Sequence, residues 1–143
     1  MDSGSTPGLL KRNCVVEEAR ATTYSKVAKE FMKPYFKRKV CFCYKLTLPH
    51  GVYFGISRNP GRRMLDHIFG KWAGVPWQFE IVMWDVDTLL VAAAEIESIV
   101  QTKKSGAAVL NKSLGGEFPA KSKHEQRELK RMRTEAKKEL AAL

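Results

Sequence analysis

Apolar and polar residues alternate over residues 40–48 and again over 52–57, with Pro49-His50-Gly51 between the two runs. Alternation at period two lays one face of a strand on a core, and a tight turn between two such runs makes a β-hairpin. Asn59-Pro60 follows, an N-cap side chain ahead of a proline at the first helical position. A helix is expected from there to Phe69, with Gly70 as its C-terminal stop. Residues 78–85 read as a third strand with Phe79, Ile81 and Met83 on one face. Thr88 is placed to cap a longer helix through about Lys104, ended by Ser105-Gly106. The order β-β-α-β-α describes a small α+β domain, a three-stranded antiparallel sheet flanked by helices.

Both flanks read differently. Residues 1–39 form a basic N-terminal extension with one helix. Its first dozen residues, with Ser3, Gly4, Ser5, Pro7 and Gly8, look like a disordered lead. Val16, Ala19, Thr23, Val27 and Phe31 then recur at helical spacing until Pro34. Residues 118–143 form a basic C-terminal helix, helical from about Ser122, where Glu128/Arg131 and Glu135/Lys138 are spaced to pair along an exposed face.

Composition adds the charge. The chain has 143 residues, enough for one domain, and its 44% hydrophobic content argues against global disorder. The longest apolar run, residues 89–94, is far too short to cross a bilayer, and no secretory signal pattern opens the chain. An intracellular protein that needs no membrane is expected. Three cysteines are an odd count that argues against a disulfide framework.

The net charge of +10 calls for a polyanionic partner. Residues 1–40 carry 9 Lys+Arg and 4 Asp+Glu, residues 41–118 carry 8 and 7, and residues 119–143 carry 8 and 4. The centre is nearly neutral and the grip lies at its margins. Charge alone admits nucleic acid or an anionic surface; for nucleic acid, with duplex DNA as the expected form, the contacts would be Lys37, Arg38, Lys39, Arg62, Lys121, Lys123, Arg127, Lys130 and Arg131.

Candidate chemistry is sparse and central. Arg63 and His67 share one side of the short helix, opposite Met64, Leu65, Ile68 and Phe69. Arginine offers a planar fork for phosphate oxygens, and histidine moves protons near neutral pH. The same spacing fits an ordinary solvated face. Glu95 sits at the edge of the apolar stripe of Val91, Ala92, Ile96 and Ile99, whereas Glu97 lies round with Gln101. A carboxylate against a core is paired, holds a hard cation, or reaches out to solvent. Tyr44 and Tyr53 face one another across the hairpin, as reactive hydroxyls or as plain strand aromatics. Cys41 and Cys43, two apart, read as buried small hydrophobes, and Trp72, Trp77 and Trp84 as core.

Phe42-Cys43-Tyr44, Tyr53-Phe54-Gly55, Arg63, His67, Glu95 and Asn111 together resemble the GIY-YIG nuclease superfamily over about residues 40–117. Gly55 precedes Arg63 by eight residues and Arg63 precedes His67 by four, as in that family, and Ile99 follows Glu95 at the family's spacing. The first motif lacks its glycine and isoleucine, and the interval between the tyrosines is slightly short. The resemblance implies a metal-dependent DNA endonuclease with Tyr44, Tyr53, Arg63, His67, Glu95 and Asn111 as catalytic residues. It implies Mg²⁺ or Mn²⁺ on Glu95 and Arg63 stabilising transition-state charge. It also implies Tyr44, assisted by the metal, Tyr53 or His67, activating water once positive charge from Arg63 and the metal lowers its pKa, with Tyr53 and His67 open as the activating group instead.

Overall fold

The structure, a computed structural model, describes residues 9–12, 33, 40–115 and 122–143. Strands β1 (Leu9–Arg12), β2 (Cys41–Leu48), β3 (Gly51–Ser57) and β4 (Trp77–Asp85) form one antiparallel sheet in the order β1-β4-β2-β3. Helix α1 (Pro60–Asp66) follows the hairpin and runs into a π-helical turn, His67–Lys71. Helix α2 (Thr88–Lys104) follows β4, and α3 (Lys123–Ala141) closes the chain. The α+β class and the antiparallel core of β2, β3 and β4 are as the sequence pattern implies.

The fourth strand is a correction. Residues 9–12 were expected in a disordered lead, yet their backbone pairs with residues 77–80, Leu9 opposite Glu80 and Arg12 opposite Trp77. Backbone pairing of so short a segment needs no alternating pattern, so the sequence carries no sign of it. The N-terminal helix expected over residues 15–32 lies outside the described residues.

Strand β2 is buried on both faces over residues 41–44 and on one face beyond, which explains its density of apolar residues. Phe42, Tyr44, Leu46 and Leu48 face a core shared with Met64, Ile68 and Trp72 of α1 and the π turn, and with Trp77, Phe79 and Ile81 of β4. Met64 and Ile68, 1% and 0% exposed, are each worth about 1.5–3 kcal/mol in burial. Cys41 and Cys43 face the other way, against Val91 of α2, with Ile56 and Met83.

Met83 therefore lies on the opposite face from Phe79 and Ile81, not beside them. The cause is a register shift: Tyr44 pairs with Ile81 and Cys43 with Met83, leaving Val82 as an extra residue on β4. One extra residue reverses the facing of everything beyond it.

Two local readings also change. The Asp87 side chain, not Thr88, caps α2 by accepting from the Leu89 N–H at 2.9 Å. The α1 turn widens to π before Phe69, placing Gly70 inside the turn rather than after a stop. At the C-terminus Ser122 caps α3 through the Glu125 N–H at 3.1 Å. The Glu128–Arg131 and Glu135–Lys138 pairs form, at 2.9 and 3.8 Å. Helix α3 is no detached arm, because Met132, Ala136 and Leu140 pack on Ile96 and Val100 of α2. Among the described residues no helix is long and apolar enough to cross a membrane.

Candidate active site

A cleft of about 470 Å³ opens along β3, lined by Tyr44, Tyr53, Gly55, Arg63, Glu95 and Asn111 among others. Of the six catalytic residues suggested by the sequence, five line it directly. The sixth, His67, is held just behind by a hydrogen bond of 2.9 Å between its Nε2 and the Tyr44 hydroxyl.

The hairpin register brings the tyrosines together. Tyr44 pairs with Gly55 and Leu46 with Tyr53, so the two rings share a face on the diagonal, with centroids 6.3 Å apart. Tyr44 is 1% exposed, and its ring tip reaches the cleft only across Gly55, whose missing side chain leaves it room. His67 packs edge-on to Tyr53 at 4.9 Å and beside Trp72 at 5.2 Å. It is thus a half-buried member of an aromatic group and not part of a solvated face. Burial, followed by the nearby Arg63 charge, lowers its pKa to about 4 against the opposing pull of Asp66. His67 is neutral at pH 7.

Burial dominates Tyr44 as well, raising its pKa well above the usual phenol value; the Tyr53 hydroxyl adds to this and Arg63 only partly offsets it. The expectation that neighbouring positive charge would lower this phenol is not met by the residues present. Arg63 reaches both Tyr44, through a hydrogen bond, and Asp66, at 3.5 Å. Burial works against its charge, but Tyr44, Tyr53 and Asp66 more than compensate and hold it protonated.

Glu95 is 5% exposed and lines the cleft from α2. It does not reach out to solvent. Glu97 does face outward, accepting from Gln101 Nε2 at 2.9 Å. Among the described residues Glu95 is the one carboxylate in the lining, and no three His, Cys, Asp or Glu side chains gather as a metal cluster. A single hard oxygen donor beside open polar space suits Mg²⁺ or Mn²⁺, which keep several waters, and not tetrahedral zinc. The residues present therefore fit the expected ion.

Asn111 has a definite backbone task. Its Oδ1 accepts from the Phe54 N–H at 2.9 Å and its Nδ2 donates to the Phe54 carbonyl at 2.7 Å. With Val52 N–H donating to Ala108 and Leu110 N–H to Val52, it extends the ladder along the outer edge of β3. Both ends of its amide are engaged there.

Sequence reasoning missed Lys71, Lys112, Ser113 and Gly115, which also line the cleft. Lys112, Ser113 and Gly115 flank Asn111 in the chain, a signal that was present. Lys71 closes the π turn, and a π turn has no sequence pattern of its own. The cleft thus carries Arg63, Lys71 and Lys112 against Glu95, more cationic than the near-neutral centre suggests. Of the expected DNA contacts, Arg62, Lys123, Arg127, Lys130 and Arg131 are exposed, while Lys37, Arg38, Lys39 and Lys121 lie outside the described residues. Cys41 and Cys43 are buried as packing, and Trp72 and Trp77 are core. No protein-family model, characterised protein or solved structure matches the chain.

Proposed function

We propose that the protein is a metal-dependent endonuclease that hydrolyses phosphodiester bonds in DNA, of the kind its motifs resemble. One observation carries the reading: residues spread over 68 positions, from Tyr44 to Asn111, converge on a single cleft whose lining includes a buried carboxylate and an arginine. A chance scatter of polar residues has no reason to converge so.

The residues divide the chemistry. Arg63 offers its guanidinium to the phosphate, where charge builds in the transition state. Glu95 would hold Mg²⁺ or Mn²⁺. What such an ion supplies when bound is Lewis-acid polarisation of the scissile phosphate. Tyr44 and His67 form a proton path: with Nδ1 protonated, neutral His67 accepts at Nε2 from the Tyr44 hydroxyl. As Tyr44 takes a proton from water, its own passes to His67, so the phenol never needs to stand as a free phenolate at neutral pH. Asn111 keeps β3, and with it Tyr53 and Gly55, in register.

Cleavage of supercoiled plasmid in Mg²⁺ by the wild type, Arg63→Ala and Glu95→Gln tests the reading. Wild-type cutting lost in both variants is expected. Duplex binding at low salt with no cutting under any divalent ion would replace this reading with that of a non-catalytic DNA-binding module. Absence of both binding and cutting would leave only a basic interaction protein.

A further inference from the structure

Helix α3 has two unlike sides. Lys123, Arg127, Lys130 and Arg131 are exposed, while Leu129 and Ala136 are each 3% exposed and face inward. Arg133 belongs to the inward side: half-buried, its Nε donates to the Gly115 carbonyl at 3.0 Å. An arginine directed into a protein from a helix of exposed cations acts on something internal.

Gly115 stands against Glu95. Its φ is +88°, in the left-handed region that glycine occupies without strain. A Cβ added there would stand 2.7 Å from Glu95 Oε1, 2.9 Å from Cδ and 3.0 Å from Cγ. The Gly115 backbone is therefore one wall of the pocket that holds this carboxylate. Arg133 grips the same residue from behind without itself lining the cleft. Packing sets the same geometry, because α3 seats on Ile96 and Val100, the first of them next to Glu95 in the chain.

We propose that Arg133 is a positioning residue, fixing Gly115 against the Glu95 carboxylate so that the C-terminal helix sets the geometry of the cation-binding oxygen. This rests on the reading of Glu95 as the residue that holds the divalent ion. Groups one step behind a metal ligand commonly change metal affinity 10–100-fold when disturbed; Gly115 is in that position with respect to Glu95, and Arg133 holds it there.

The test uses the full chain, with Mn²⁺ binding read by electron paramagnetic resonance without DNA and the Mn²⁺ dependence of plasmid cleavage alongside. Wild type is expected to bind Mn²⁺ and Glu95→Gln to lose it. Arg133→Ala is expected to bind about tenfold more weakly and to need correspondingly more Mn²⁺ for half-maximal cutting, with much of the rate recovered at saturation. Arg133→Lys should restore part of the affinity. Wild-type Mn²⁺ affinity in Arg133→Ala, with binding still dependent on Glu95, would overturn the positioning role and leave the nuclease reading intact. Wild-type Mn²⁺ binding that is absent, or unchanged in Glu95→Gln, would remove the reading and the inference together. If Arg133→Ala does not fold, Arg133→Met keeps most of the stem while removing the donor to the Gly115 carbonyl: weakened Mn²⁺ binding supports the inference, and wild-type binding overturns it.

Discussion

Tyr44 fills the space where a side chain on Gly55 would stand. The two residues are cross-strand partners, so the buried phenol reaches the cleft only because the facing strand is bare at that point. Gly55→Ala should push Tyr44 away from His67 and cost about 1–3 kcal/mol through overpacking. Urea denaturation would read the stability, and plasmid cleavage should fall much further than the folded fraction does. A variant that retains full activity would show that Tyr44 does not work through this gap.

Arg63→Ala removes the guanidinium and Glu95→Gln the negative charge, each with little loss of packing. Each is expected to lower cleavage by 10²–10³-fold, about 3–4 kcal/mol of transition-state stabilisation. Affinity for duplex DNA, measured by anisotropy, should change far less.

His67 makes stability depend on pH in a defined window. Its pKa is about 4 in the folded protein against 6.5 ordinarily, so on acidification the unfolded chain takes up this proton first. Its contribution is complete above pH 6.5, is lost progressively as pH falls toward 4, and changes no further below that. Thermal midpoints across this range should drop for the wild type and drop less for His67→Gln.

Asn111→Ala leaves the Phe54 N–H and carbonyl without their partners, a loss of about 1–3 kcal/mol. Asn111→Asp can still accept from the N–H but cannot donate to the carbonyl. It should therefore lie between alanine and wild type in urea stability at neutral pH.

Neutralising Lys123, Arg127 and Lys130 to glutamine leaves the packed side of α3 alone. If these side chains meet phosphates, each removal should flatten the salt dependence of DNA binding by about 0.9 in slope. Deleting residues 119–143 is a harsher experiment. It should weaken binding and flatten its salt dependence, and it also uncovers Ile96 and Val100 and removes the grip on Gly115, so loss of stability should accompany loss of binding.

The elements that could be read from sequence were those whose pattern is local. Asn59-Pro60 marked the start of α1, alternation marked β2 and β3, and the position of Glu95 against Val91 and Ile99 marked it as a carboxylate in the wrong company. What escaped was set at a distance. Residues 9–12 find their backbone partners nearly seventy positions away. The extra residue at Val82 leaves Phe79, Ile81 and Met83 as regular in sequence as an unbroken strand. The His67–Tyr44 bond escaped because helical projection placed His67 on the polar side, with no view of the aromatic rings that the sheet presents there. Lys71 reaches the cleft through a widened turn that intrinsic preference does not signal.

Strand β3 is outermost on its side of the sheet, and an outermost strand ordinarily offers a row of unsatisfied amides to any neighbouring chain. Here Ala108, Leu110 and the Asn111 side chain occupy part of that row at Val52 and Phe54. The segment that shapes the cleft is also a guard against self-association. A chain that loosens it to admit a bulkier substrate would lose colloidal stability along with register, so at this edge adaptability is limited by solubility.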